Sequence, residues 1–294
     1  MEIDVYNFGD SSINNLNAHF FVEKRNDAYG SRGNVDSFHN FLGRKLFDTP
    51  SAEVMVFSEN KTYIAGSAVV YRKLHINNAD CLVGIMSGSW TSPENRGQGL
   101  FSKIIDASKQ CVRAHQGDFL TAFVTSTNAS YGRLKAAGAI EIPSYYIFHE
   151  NFDDTNKNVD FEIVEDCDFR SIYEKNQSSF VYSFPDFCSQ YLDKNKTCLR
   201  IANEYVLISE TFNAYKVDLL TYGNIDSLEA VISGLINYKN AKGSKKLFLF
   251  STDIDFANLC TSLGCSILNG YFMMIPVDGM LAPKNVLIQM GDKV

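Results

Sequence analysis

The sequence predicts a mixed α/β fold, with a central sheet of antiparallel and parallel strands built in two tandem copies. Three observations predict it. β-rich runs divided by turn clusters give way to alternating strands and helices, the order recurs in the second half, and a glycine loop within Gly88–Gln110 joins an apolar run to an apolar-periodic helix.

Taken in order, residues 15–50 read as two helices separated by "DAYGSRGN". Ala52–Asn60, Lys61–Leu74 and Cys81–Thr91 then read as strands of a meander, divided by "SENK" and "HINNAD". After the loop a helix is expected over about Leu100–His115, a strand over "DFLTAFVTST", a helix over "NASYGRLKAAG" and a closing strand at "YYIFHE". The polar, acidic stretch Glu150–Asp168 is the candidate linker, which places domains at 1–150 and 169–294 with 151–168 between them. A shift of 126 residues lays Phe123–Phe148 over Leu249–Met274 without a gap, matching Gly138 to Gly264 and Tyr145 to Tyr271. In the second copy only "GNIDS", Gly223–Ser227, joins strand to helix, so no phosphate is expected there.

Composition narrows the function. With 27 basic against 34 acidic residues and a formal net charge of −7, the chain lacks the basic face that nucleic acid requires. The start has no basic and apolar leader, and nowhere do 18 apolar residues run together, so a cytoplasmic protein without a membrane span is expected. Seven cysteines, odd in number and scattered, read as reduced core residues, and with five dispersed histidines they suggest no metal site.

The loop "SPENRGQGLFSK" has a physical purpose. Glycines let backbone N–H groups turn toward a ligand, and the first turn of a helix adds unpaired N–H groups and a positive dipole. Such a nest suits a pyrophosphate. A dinucleotide-binding motif needs G-x-G-x-x-G in a parallel unit and a P-loop needs G-K-[ST], and neither is present.

These residues resemble the GNAT acyltransferase superfamily. Arg96, Gly97 and Gly99 match its R-x-x-G-x-G/A loop, with Phe101 where a small residue is usual, and Asn128 and Gly138 match its next strand-to-helix segment. The chain is therefore identified as two tandem GNAT-like domains. The R-x-x-G-x-F form and "NASY" are most similar to bacterial acyltransferases acting on nucleotide-linked amino sugars.

The resemblance implies an N-acyltransferase that moves an acetyl or short hydroxyacyl group from acyl-CoA to the amine of a sugar nucleotide, such as a dTDP-3-amino-dideoxyhexose, by direct attack. Coenzyme A would then lie against Ser89, Trp90 and Thr91, with its pyrophosphate on the N–H groups of Arg96, Gly97, Gln98, Gly99, Leu100, Phe101 and Ser102, near Asn128. A backbone N–H near Trp90 would polarise the thioester carbonyl. The family often uses a tyrosine on the following helix as acid, but its position falls on Leu134 or Lys135. Tyr131 is the nearest phenol and the candidate acid. His75 is a candidate base, since the strand before the loop carries no carboxylate. The alternatives are a non-catalytic CoA-binding module and an acyltransferase for another small amine or peptide.

Overall fold

The computed structural model describes residues 1–7, 18–29, 35–36, 42–43, 46, 48–151, 159–191, 196–243, 245–278, 283 and 286–293. The second expected helix of residues 15–50 lies largely outside them, as does the first part of the expected linker. The chain divides into two compact units, one of Met1–Glu141 with Phe272–Lys284, the other of Ile142–Tyr271 with Asn285–Lys293.

In the first unit β1 (Glu2–Asn7), β2 (Glu53–Glu59), β3 (Thr62–Ile76) and β4 (Ala79–Thr91) form an antiparallel meander. Asn60–Lys61 and Asn77–Asn78 close its two hairpins with paired positive φ angles, the geometry that matches strand twist and that asparagine tolerates. β1 was not among the expected elements. Its side chains are mostly exposed, and backbone pairing with β2 holds it. β5 (Phe119–Thr125) joins β4 in parallel, and Phe272–Pro276 lies beside β5, with the Phe272 and Phe123 rings 4.8 Å apart.

Among the described residues these strands are accompanied by α1 (Ala18–Tyr29), α2 (Leu100–Ala114) and α3 (Tyr131–Ala136). α1 covers one face, where Phe21 joins Val54, Val56, Ala68, Val70 and Trp90. α2 covers the other, burying Leu100, Ile104, Ile105, Ser108, Cys111 and Val112 at helical spacing. It approaches so closely that a Cβ on Gly84 would stand 2.4 Å from Val112, which leaves glycine as the residue that fits.

The second unit repeats the plan. It contains β6 (Ile140–His149, from Ile142 onward), β7 (Glu162–Val164), α4 (Phe169–Lys175), β8 (Phe180–Val181), α5 (Phe184–Tyr191), β9 (Lys196–Ile201), β10 (Glu204–Glu210), β11 (Ala214–Leu220), α6 (Ile225–Lys242), β12 (Lys246–Ser251), α7 (Ile254–Ser262) and the first half of β13 (Ser266–Pro276). Its strand order is β13-β6-β12-β11-β10-β9-β7, with β11 parallel to β12. The last strands of the two copies are thus exchanged: most of β6 serves the second unit, and Phe272–Pro276 of β13 serves the first.

Two expectations change here. Part of the acidic stretch read as linker is built in, because β7 pairs with β9 and Val159 and Phe161 pack on the second unit's core. The cysteines are not all reduced: Cys167 is bonded to Cys198, with Cα atoms 6.3 Å apart. The pairing of Val164 with Cys198 brings these thiols together across 31 residues of sequence, which spacing alone does not reveal.

Candidate functional site

The loop after β4 is built as a nest. Pro93–Asn95 form a 3₁₀ turn, and Gly97 and Gly99 take φ angles of 81° and 74°, the left-handed region that favours glycine. Gly99 is the N-cap of α2 and provides no side-chain cap, and the first turn carries no acidic residue. The N–H of Arg96 donates to the Pro93 carbonyl and that of Ser102 to the Gly99 carbonyl, at 3.3 and 3.1 Å. Between them, the N–H groups of Gly97 to Phe101 meet no acceptor among the described residues. The set of open N–H groups is therefore narrower than the expected Arg96–Ser102, and it sits at the positive end of a 15-residue helix that buries one face.

Beside the nest the parallel strands part. β4 and β5 pair at Val83–Ile85 with Phe119–Thr121, and beyond that Met86–Thr91 have no strand partner on the β5 side among the described residues. A register shift between Gly66 and Ala68 gives β4 one extra residue, a bulge at Gly88–Ser89 with Gly88 at φ 60°. The Ser89 and Ser67 hydroxyls meet across it at 2.7 Å. Trp90 faces away from the cleft. Its ring is buried in the core, edge-on to Phe21 at 5.9 Å and 2.7 Å from where a Cβ on Gly66 would stand, so its contribution to the cleft is backbone.

Loop and bulge open on one cleft of about 420 Å³. It brings together ten of the expected residues: Ser89, Trp90 and Thr91 from β4, Arg96, Gly97 and Gly99 from the loop, Leu100, Phe101 and Ser102 from α2, and Asn128. Gln98 is not on its wall, because the Gln98 amide turns back toward Asn95 Oδ1 at 3.5 Å. Asn128 shapes the rim by accepting from Ser130 N and Oγ at 3.0 and 2.9 Å. Sequence reasoning missed Arg133, which also lines the cleft. It lies one turn on from Ala129 and Ser130, which line the cleft too, and no sequence motif singled it out. Arg96 and Arg133 thus add two cations to the dipole, and the cleft is suited to a polyanion.

The acid and base candidates are not brought there. Tyr131 is off the cleft wall, and its hydroxyl donates to Glu141 Oε1 at 3.2 Å, where Lys135 also pairs at 2.9 Å. His75 lies at the far end of the β3–β4 hairpin, exposed and paired with Asp80 at 2.6 Å. At strand rise that is roughly 30 Å from Ser89. Among the described residues no group of three or more His, Cys, Asp or Glu gathers as metal ligands, and no helix is long and apolar enough to cross a membrane.

The second unit shows what an occupied counterpart looks like. α6 is capped by its own side chains: Asn224 accepts from Ser227 N at 2.9 Å, and Ser227 Oγ accepts from Asn224 N and Gly223 N at 3.1 and 2.9 Å. β11 and β12 pair only at Ala214–Lys216 with Lys246–Phe248 and then part. The segment 286–293 fills the opening, with Gln289 bridging to Ser251 and accepting from Leu220 N at 2.8 Å. Asp292, buried within it, accepts from Tyr182, Tyr191 and Ser178. A void of about 10 Å³ is left.

No family model and no curated protein matches the chain. Solved structures match along nearly all of it. A probable N-acyltransferase of Enterococcus faecalis V583 has a TM-score of 0.62 at 11% identity, over 93% of this chain and 71% of its own. A tandem GNAT protein from the clavulanic acid biosynthesis pathway has 0.65 at 11%, over 95% and 100%. A glucosamine N-acetyltransferase region of a fungal multi-domain β-N-acetylglucosaminidase has 0.66 at 10%, over 93% of this chain and 38% of that one. The fold is that of tandem GCN5-related N-acetyltransferases.

Proposed function

We propose that this protein is an acyl-CoA-dependent N-acyltransferase whose first unit carries the site. One observation supports the reading most strongly. A run of backbone N–H groups from Gly97 to Phe101, without acceptors among the described residues, faces a cleft that continues along the unpaired edge of β4. Phosphates need concentrated donors and positive potential, whereas an amide-bearing arm needs an open strand edge. Coenzyme A has both parts in that order, and the two features adjoin.

The residues divide the work. Gly97–Phe101 hold the pyrophosphate through N–H groups, Arg96 and Arg133 neutralise phosphate charge, and Ser89–Thr91 pair with the pantetheine arm as an added strand. Bound acyl-CoA supplies an activated thioester; attack by a free amine forms the amide, and the thiol leaves with the proton the amine gives up. A backbone N–H of the bulge polarises the carbonyl, an effect worth about 3 kcal/mol where measured. Direct attack requires no protein nucleophile. The acceptor we propose is the amine of a nucleotide-linked amino sugar, supported by the resemblance of the loop and "NASY" and by the glucosamine N-acetyltransferase region among the structural neighbours.

Titration with CoA and, separately, NAD tests the cofactor: binding of CoA and not NAD is expected, and failure to bind CoA at millimolar concentration overturns the reading. Thiol release from acetyl-CoA with a panel of amines then separates enzyme from binding module. CoA binding without release across the panel favours the module.

A further inference from the structure

We propose that Cys260 and Cys265 are a redox-active dithiol, which a low-molecular-weight disulfide such as glutathione disulfide closes to an intramolecular bond. The site lies wholly in the second unit and stands independently of the acyltransferase reading. Both cysteines are reduced in this structure.

The end of α7 holds the two residues together. Leu263 caps the helix and Gly264 follows at φ 84°, so that the N–H of Gly264 donates to the Thr261 carbonyl and that of Cys265 to the Cys260 carbonyl, both at 3.0 Å. In this kind of glycine-terminated helix end the sixth residue folds back over the first, and their side chains meet. Here both side chains are thiols, hydrogen-bonded to each other. A disulfide requires neighbouring Cα atoms and side chains that face, and this turn supplies both. The first copy ends α3 in the same way, with Gly138 at φ 85°, its N–H on the Lys135 carbonyl at 3.0 Å and that of Ala139 on the Leu134 carbonyl at 3.2 Å. The shift of 126 residues lays Leu134 on Cys260 and Ala139 on Cys265, so the turn itself does not require sulfur.

The two thiols are unequal, and that sets the order of reaction. Cys260 is fully buried, whereas Cys265, though buried, stands between exposed Gly264 and Ser266 at the edge of solvent. The Cys260 S–H donates to the Cys265 sulfur, which holds the Cys265 thiol below the usual range against the effect of burial, with Lys239 adding a favourable charge, and holds Cys260 well above it. His149, whose Nε2 lies 3.9 Å from where a Cβ on Gly264 would stand, is buried and neutral. Cys81, Cys111 and Cys188 are raised, first of all by burial. Cys265 is therefore the attacking sulfur. Its thiolate attacks one sulfur of the small disulfide, forming a mixed disulfide and expelling one small thiolate. Cys260 gives its proton to that thiolate, attacks the Cys265 sulfur and expels the second, which takes up from water the proton Cys265 had released. Two protein thiols are thereby oxidised to one disulfide, and the small disulfide is reduced to two thiols.

For the test, folded wild type is equilibrated with glutathione at graded ratios of disulfide to thiol, quenched with acid, denatured and alkylated. The tryptic peptide from Leu247 to Lys284, which carries both cysteines, is then weighed. It is expected to lose both alkylation sites together with two hydrogens, to carry no glutathione, and to regain both sites with dithiothreitol. Cys260→Ala removes the second attacker and should leave glutathione on Cys265. Cys265→Ala, which restores the residue of the first copy, should react at Cys260 about tenfold more slowly than Cys265 does in Cys260→Ala. Thiols that stay open in folded wild type under glutathione disulfide alone, a lasting glutathione adduct in wild type, bonding of either cysteine to another partner, or faster reaction at Cys260 than at Cys265 overturns the proposal. If a variant fails to fold, the wild-type measurement still decides.

Discussion

Replacing Gly99 by alanine separates what the loop does for the fold from what it does for a ligand. Gly99 has φ 74°, and a Cβ built there meets nothing within 4 Å. The folded protein therefore resists a side chain only through its backbone angle, a cost of about 1 kcal/mol. In a protein of this size that lowers Tm by about 2–4 °C. Gly138 is a matched control, since it has φ 85°, equally open surroundings and no place on the cleft wall. Both variants should lose the same stability. Only Gly99→Ala puts a methyl among the N–H groups that would face pyrophosphate, displacing the ligand and lengthening one or two charge-assisted bonds, for about 2 kcal/mol or about 30-fold in CoA affinity. Calorimetric titration with CoA and thermal melts of both variants provide the comparison. Wild-type CoA affinity in a folded Gly99→Ala protein would refute the reasoning and leave the loop a strand-to-helix turn.

Tyr131→Phe should leave turnover within about twofold of wild type, because the hydroxyl is engaged with Glu141 away from the cleft; a loss of kcat would restore it as an acid. His149, buried and with its pKa pushed down to about 4, first by burial and then by Lys239, stays neutral in the folded protein while the unfolded chain takes a proton below about 6.5. Stability should therefore fall as pH drops from about 6.5 to about 4, and denaturant midpoints across that range should flatten in His149→Gln. Cys167→Ser should cost about 2–4 kcal/mol in non-reducing denaturation and nothing further under strong reductant, if the Cys167–Cys198 bond constrains the unfolded chain.

What could be read from the sequence was local. Arg96, Gly97 and Gly99 announce the nest because positive φ and close backbone approach leave glycine few substitutes, and "GNIDS" announces its absence in the second copy because Asn224 and Ser227 are cap residues. What could not be read depends on distant pairing. The Cys167–Cys198 bond follows from the register of β7 on β9, and the buried role of Trp90 follows from a glycine across the sheet, Gly66. Tyr131 was placed on the correct helix, but the direction of its hydroxyl was decided by Glu141, which begins the next strand. The second unit's opening between β11 and β12 was equally hidden, because the segment that fills it arrives some forty residues after β12, and loop closure of that length leaves no local trace.

The exchanged strands set an order of assembly. A ribosome delivers β1 to β5 first, yet the strand beside β5, Phe272–Pro276, emerges only after α6, β12 and α7 have been made. Until then the growing first unit presents a bare β5 edge, the kind of surface that invites pairing with a neighbouring nascent chain. The half that would bind the coenzyme is thus begun first and finished last. A gene fragment cut at residue 150 would encode it without its final strand, and loss of the second copy by deletion would take part of the first with it.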